Sequence, residues 1–348
     1  KEYRRQRQMC IRDSYRVVML DQRGTGLSTP VGDADLERGS AAVAEYLTHL
    51  RADAIVRDCE AMREHLSAET WSVLGQSFGG FTTLAYLSTD SDSLADVFIT
   101  GGLSTVDRHP DEVYALCYDK MRAASERYYR RFPEHRDVMR RLVDQAAAGE
   151  IVLPDGEVVS PSRLRSVGSA LGTNDGWQTV WSLLERDPAS NAFRHDLMHA
   201  MPYGGRNPLY FAFHESSYAS GHATRWSAER TEPQDFRDDV TLFTGEHIRR
   251  EWTETVPAFQ PWRDVTLALA DFEWPRIYNE VAIAASGATG AAAVYVNDVY
   301  VPMEFSLETA RLLPGVELWV TSEHEHNGVR SGPVLTHLID LAHGRRIR

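Results

Sequence analysis

Gly75-Gln76-Ser77-Phe78-Gly79 holds the most legible chemistry in this chain: a G-x-S-x-G between Trp71-Ser72-Val73-Leu74 and the apolar run from Phe81 to Leu87. A strand that ends in a sharp turn can carry a serine at its tip if the flanking residues are small, and two glycines meet that need. Ser77 is therefore expected as a nucleophile. The backbone N–H of Phe78, next in the chain, would be a donor to an oxyanion.

A serine hydroxyl attacks poorly until a base takes its proton, and a carboxylate that fixes the base's tautomer stabilises the imidazolium. At such an elbow the partners follow in the order Ser, Asp or Glu, His, each on a loop after a strand. Asp298 follows a segment ending at Val296, and Pro302 suits a loop leaving a sheet. His326 lies in Ser322-Glu323-His324-Glu325-His326-Asn327-Gly328, just past Glu317-Leu318-Trp319-Val320-Thr321. His324 competes for the base role, since in an extended segment the two imidazoles point to opposite sides and only one can face Ser77. The two histidines could instead hold a metal, but no third ligand stands at a telling spacing, so no metal is expected. Asp298 taken alone would read as a loop-capping aspartate.

The elements around these residues alternate. Tyr15-Arg16-Val17-Val18-Met19-Leu20 reads as a short buried strand, closed by the loop Asp21-Gln22-Arg23-Gly24-Thr25-Gly26-Leu27-Ser28-Thr29-Pro30. Ile55, Val56, Cys59, Met62 and Leu66 share one helical face leading into the serine strand. Val97-Phe98-Ile99-Thr100 ends at Gly101-Gly102 as a further strand. Strand and helix in turn imply an α/β fold, a mostly parallel sheet with helices on both faces. The rhythm then breaks: helical-looking segments fill residues 104–275, and strands resume at Ala291-Ala292-Ala293-Val294-Tyr295-Val296 and at Glu317. The organisation expected is an atypical leader at 1–14, a first core part at 15–103, a mostly helical insertion at 104–275 and a second core part at 276–348.

Composition sets outer limits. The 348 residues include 43% hydrophobic and 25% charged ones, ordinary for a folded protein. A net charge of −13 disfavours nucleic acid or an anionic membrane as partner. Cys10, Cys59 and Cys117 form no close-spaced pair, so a reducing, cytoplasmic setting is the default and neither disulfide framework nor zinc site is implied. No run approaches the roughly 18 apolar residues of a membrane span.

Five dispersed segments in one order carry a resemblance: Asp21-Gln22-Arg23-Gly24-Thr25-Gly26, Gly75-Gln76-Ser77-Phe78-Gly79-Gly80, Phe243-Thr244-Gly245-Glu246, Val296-Asn297-Asp298-Val299-Tyr300 and His324-Glu325-His326-Asn327-Gly328. From about Tyr15 to its end the chain resembles the prolyl aminopeptidase (proline iminopeptidase) family of α/β-hydrolases. The resemblance implies Ser77, Asp298 and His326 as the catalytic set, the second histidine being preferred over His324. It also implies a helical cap before the Asp strand, no cofactor, and short peptides with a free N-terminus as substrates, the leaving residue often being proline.

An exopeptidase must recognise a free ammonium, and carboxylates from the cap are the means. Glu215, in Phe211-Ala212-Phe213-His214-Glu215-Ser216-Ser217-Tyr218, is expected first in that clamp and Glu246 second. Trp177, Trp181, Tyr210, Phe211 and Phe213 could line a pocket for a pyrrolidine ring. One departure stands out: the family's His-Gly-Gly-Pro-Gly-type loop, a second oxyanion donor upstream of Asp21, has no counterpart here, and Lys1 to Ser14 resembles nothing in the family. A chain beginning midway through the fold is the expectation drawn from that. An esterase or amidase on the same scaffold, or an inactive remnant, are the alternatives.

Overall fold

The computed structural model describes residues 15–347, so the leader expected at 1–14 lies outside the described residues. Four parallel strands, β1 (Trp71–Gln76), β2 (Leu94–Thr100), β3 (Gly290–Tyr295) and β4 (Val316–Thr321), pair in the order β1-β2-β3-β4. Helices of eight residues or more are α1 (Ser40–Leu47), α2 (Ala52–His65), α3 (Phe78–Thr89), α4 (Pro110–Arg131), α5 (His135–Ala147), α6 (Gly176–Leu184), α7 (Asn191–Ala200), α8 (Arg263–Asp271), α9 (Met303–Ala310) and α10 (Val334–Ala342). Strand, helix and strand alternate at both ends of the described chain. Between β2 and β3 the described residues form helices and loops, with one isolated bridge from Val152 to Val158.

Alternation along the strands builds two cores. Val97, Ile99, Ala292 and Val294 point to one face, where they meet Val56, Leu84, Leu87, Ile283 and Leu313. Phe98, Ala291, Ala293 and Tyr295 point to the other and meet Val334, Leu338 and Leu341 of α10. Helix α3 is apolar nearly all round, which suits burial between the sheet and α2. The insertion has a large core of its own, centred on α4 to α7 and including Tyr128, Leu142, Val180 and Phe193, and it takes in Val299 from the loop after β3.

The segment from Tyr15 to Leu20 departs from expectation. It forms no strand, and Val17, Val18 and Met19 are 48%, 43% and 87% exposed. A strand exists by pairing, and this segment pairs with none of the described strands. Its apolar sequence alone does not supply the partner. The loop after it is ordered by its own contacts: Arg23 makes a two-pronged ion pair with Asp58 of α2, and Asp21 accepts the Leu27 N–H at 2.9 Å.

Helix α1 packs Val43 and Leu47 against Trp262, Val265 and Leu269, so the early chain is joined to the end of the insertion. Arg51 fastens that join. It is 2% exposed, lies 4.7 Å from the Trp274 ring centre, and donates to the carbonyls of Ser216, Ala219 and Pro275. Burial lowers its pKa to about 10, so it stays charged at neutral pH. No helix among the described residues is long and apolar enough to cross a membrane. Arg51→Ala should destabilise the fold by about 2–4 kcal/mol, because it strands buried carbonyls and leaves a cavity beside Trp274. Urea unfolding is the measurement, and a loss within about 0.5 kcal/mol would mean water replaces the guanidinium without cost.

Candidate active site

Ser77 caps the end of β1 and starts α3 with a backbone of φ 56°, ψ −122°, a strained conformation for a residue with a side chain. Its N–H donates to the Thr100 carbonyl at 3.1 Å, which continues the β1–β2 ladder past Gln76. The glycines of the motif do unequal work. A Cβ on Gly75 would lie 2.3 Å from the Gly79 carbonyl oxygen, and one on Gly80 would lie 2.5 Å from that of Gly102. A Cβ on Gly79 would meet nothing within 4 Å. The requirement for small neighbours therefore falls on Gly75 and Gly80, not on Gly79.

Asp298 and His326 stand at the ends of β3 and β4, the side of a parallel sheet where ligand-binding loops gather. His326 Nδ1 lies 2.7 Å from Asp298 Oδ2, and Asp298 Oδ1 accepts the N–H groups of Tyr300 and Val301 at 2.9 Å each. Asp298 is fully buried, and His326 is 9% exposed. Burial works against the imidazolium, but Asp298 outweighs it and the His326 pKa is raised, with the Glu246 charge adding to that. His324 lies elsewhere: its Nδ1 is 3.3 Å from the Asn174 amide nitrogen, and its ring sits edge-on to Trp319.

Gly101 connects the two halves. It follows Thr100, to which Ser77 is bonded, and a Cβ here would come within 3.0 Å of His326 Nδ1 and 3.2 Å of Asp298 Oδ2. A side chain here would crowd the imidazole–carboxylate pair and strain a backbone of φ 51°, so glycine suits the turn that leaves β2 beside it. The three residues are thus brought to one end of the sheet. Ser77 Oγ has no hydrogen-bond partner among the described residues. The Phe78 N–H, first of α3, likewise has no acceptor within the described chain.

The insertion supplies the facing wall. Tyr218 donates from Oη to the Tyr300 carbonyl at 3.2 Å and packs on Phe81 and Tyr114, and Tyr300 lies 4.7 Å from the His326 ring. Burial, then the Glu246 charge, push the Tyr300 phenol well above its ordinary pKa. Glu246 accepts a hydrogen bond from Tyr210 Oη. His214 Nε2 is 3.8 Å from the other Glu246 oxygen, too far for a hydrogen bond, and burial lowers the His214 pKa, so that neighbour is neutral. No Arg or Lys pairs with Glu246 among the described residues.

Glu215 sits differently from expectation. It is 4% exposed, and its two oxygens accept the Ser227 and Ala228 N–H groups at 3.1 and 2.9 Å, the first two of the short helix Ser227–Arg230. Burial pushes its carboxyl up to about 7. A buried carboxylate takes the donors nearest to it, and here they are main-chain ones. It therefore fixes the turn that carries His214 and Tyr218.

The five aromatics expected in one pocket are dispersed. Trp177 packs on Tyr128, Phe211 is stacked on Phe259 at 4.2 Å, Phe213 meets Trp274, and Trp181 is 42% exposed. Tyr210 alone of them reaches Glu246. Tyr300, whose ring lies 4.7 Å from that of His326, and Tyr218, which bonds to the Tyr300 carbonyl, each sit in a motif quoted above, but an aromatic residue in a loop does not announce which way it faces. No group of three or more His, Cys, Asp or Glu is placed to hold a metal among the described residues.

A family model described as the α/β-hydrolase fold matches residues 7–144. A proline iminopeptidase of Aeromonas sobria is 36% identical over 333 residues, covering 91% of this chain and 77% of that protein. The proline iminopeptidase aneH of Aspergillus aculeatus is 30% identical over 339 residues, covering 91% and 75%. Among solved structures, a proline iminopeptidase of Mycobacterium smegmatis aligns with a TM-score of 0.40 at 15% identity, covering 93% of this chain and 78% of that one.

The elbow geometry gives a direct check. Gly75→Ala should cost about 1–3 kcal/mol in urea unfolding and slow fluorophosphonate labelling of Ser77, because main-chain atoms of Gly79 must move. Gly79→Ala, with open space around the added methyl, should be neutral or stabilising by up to about 1 kcal/mol. Equal losses in both would show that the motif's glycines act by backbone freedom and not by space.

Proposed function

The chain belongs to the proline iminopeptidase family of α/β-hydrolases, and from that premise we propose that it is a serine aminopeptidase releasing an N-terminal residue, proline above all, from short peptides. The observation that carries this reading is Glu246: a carboxylate whose charge reaches the His326 imidazole, with a phenol and a neutral imidazole as neighbours and no Arg or Lys paired to it among the described residues. A substrate ammonium is the counter-ion that such a group lacks. Glu215 acts from behind by holding the turn His214–Tyr218, whose His214 and Tyr218 flank the centre.

In the proposed mechanism Ser77 Oγ attacks the first peptide carbonyl and His326 Nε2 takes its proton. Asp298 holds the Nδ1–H and stabilises the imidazolium. The Phe78 N–H, at the positive end of α3, donates to the oxyanion. His326 then protonates the departing amine, and water, activated by the same imidazole, releases the acyl group from Ser77. The Ser77 backbone, strained in the free protein, presents the hydroxyl above the end of the sheet.

Glu246→Gln keeps the shape and the Tyr210 contact but removes the charge. Loss of one partner of a desolvated charge pair costs about 2–5 kcal/mol, so kcat/KM for a proline arylamide should fall by about 30-fold to several thousandfold. A small neutral ester, which has no ammonium, should be hydrolysed nearly as before. Equal losses on both substrates would make Glu246 a structural carboxylate, and wild-type preference for an N-acetylated proline arylamide would point to an esterase or amidase instead.

The pH profile follows from His326. Only the neutral imidazole can take the serine proton, so kcat/KM falls as pH drops through its pKa. That pKa is raised, which places the acid limb above the ordinary histidine value of about 6.5. Asp298→Asn removes the main raising charge and should move the limb down while lowering kcat by about 10⁴-fold, since an amide cannot serve two main-chain N–H groups and Nδ1–H alike. Glu325 and Glu215, whose carboxyls burial pushes up to about 7, also titrate in that window. A limb that moves in Glu325→Gln and stays put in Asp298→Asn would assign it to the wrong residue here.

A further inference from the structure

The sheet holds the loop carrying His326 only at its start. Tyr295 pairs with Thr321, and beyond that point the ladder between β3 and β4 ends with Val296 N–H donating to the Thr321 carbonyl. Beyond the imidazole's own contacts with Asp298 and Tyr300, the main chain of this loop is held by the insertion, just before α6. Gly172 accepts the His326 N–H on its carbonyl at 3.1 Å. Asn174 Oδ1 accepts the Glu325 N–H at 2.7 Å, and the Asn174 N–H donates to Asn327 Oδ1 at 2.9 Å. With Oδ1 committed to an N–H donor, the amide orientation is fixed and Nδ2 is the atom that faces His324 Nδ1 at 3.3 Å. One exposed side chain and its main-chain N–H therefore contact His324, Glu325 and Asn327, on both sides of the proposed base. The approach is close: a Cβ on Gly172 would lie 2.4 Å from the Tyr300 ring.

We propose that Asn174 is a positioning residue that latches the His326 loop to the helical insertion, so that the base is in register with Ser77 only while the insertion, with Glu246, is seated. The proposal rests on reading His326 as the base. Asn174 touches neither the imidazole nor any reacting atom, and it acts by fixing the main chain on either side of His326. Displacing a catalytic group by about 1 Å can cost about 10²-fold in rate, so main-chain contacts on both sides of the imidazole matter. Because Asn174 is exposed, its replacement leaves the cores untouched.

Asn174→Ala and Asn174→Asp in the full chain test this. Asn174→Ala should lower kcat by about 10- to 100-fold with KM little changed, on a proline arylamide and on a small neutral ester alike. Fluorophosphonate labelling of Ser77 should slow by the same factor, while the melting temperature changes little. Asn174→Asp retains an oxygen for the Glu325 N–H and should recover most of the rate. Unchanged kcat and labelling in Asn174→Ala would overturn the proposal, as would an equal loss in Asn174→Asp. If the wild-type protein labels at Ser77 but leaves proline arylamide intact, the substrate reading fails alone, and the labelling rates of the two variants still decide the role of Asn174.

Discussion

A carboxylate with no exposure to water has to be satisfied by the protein, and Asp298 is the group around which this site is built. Burying an ion costs several kcal/mol unless donors replace its water. Three do so: two N–H groups of its own loop and the Nδ1 side of His326. The loop must turn back on itself within three residues to bring Tyr300 and Val301 under Asp298, which is why α9 begins so soon after, with Pro302 just ahead of its first turn. It must also be approached by chain with no side chain in the way, which is the part that Gly101 plays. Once both Asp298 oxygens are committed, the imidazole tautomer follows, since Nδ1 carries the hydrogen and Nε2 is left with a lone pair.

The sheet and the insertion divide the remaining work. Register between strands fixes where each site loop begins: Gln76 opposite Thr100, Thr100 opposite Ala293 and Tyr295 opposite Thr321 bring the serine, glycine, aspartate and histidine turns to one end. Orientation beyond those starting points comes from the insertion. Val299 belongs to its core, Tyr300 bonds through Oη to the Ser169 carbonyl, and Gly172 holds the His326 N–H. A helical segment that is inserted in sequence is in this sense part of the site's framework. Its own large core gives it the rigidity to act so.

What could be read from the sequence was what depends on short range or on strict order. The elbow at Ser77 is dictated by neighbours within three residues, and the strands containing Val97 and Val294 by alternation, so both were legible. The succession Ser77, Asp298, His326 follows from strand order. The segment from Tyr15 to Leu20 shows the limit: its residues suit a strand, yet pairing is a property of a partner and not of the segment. Glu215 and Glu246 illustrate the same limit for charge. Both are glutamates in the insertion, and only the fold decides that one meets the N–H groups of Ser227 and Ala228 while the other pairs with no Arg or Lys among the described residues. Asn174 carried no signal at all, because an exposed asparagine in a loop matters only through the loop it faces.

The placement of Glu246 also bears on how recognition and chemistry would be joined under the proposed function. Its negative charge, after that of Asp298, helps keep the His326 pKa up in the free protein. A substrate ammonium bound to Glu246 offsets that charge, so the imidazole loses part of the support for its protonated form just as it is needed neutral. Coulomb attraction between groups several ångströms apart is modest in a partly wet site, so this shifts the base and does not switch it. A blocked or neutral substrate leaves the Glu246 charge uncompensated and buried deeper by its own arrival, which disfavours it twice: no ion pair forms, and a lone carboxylate is desolvated. Preference for a free N-terminus then comes from repulsion of the wrong ligand as much as from attraction of the right one, and it needs no contact with the residue that follows the scissile bond.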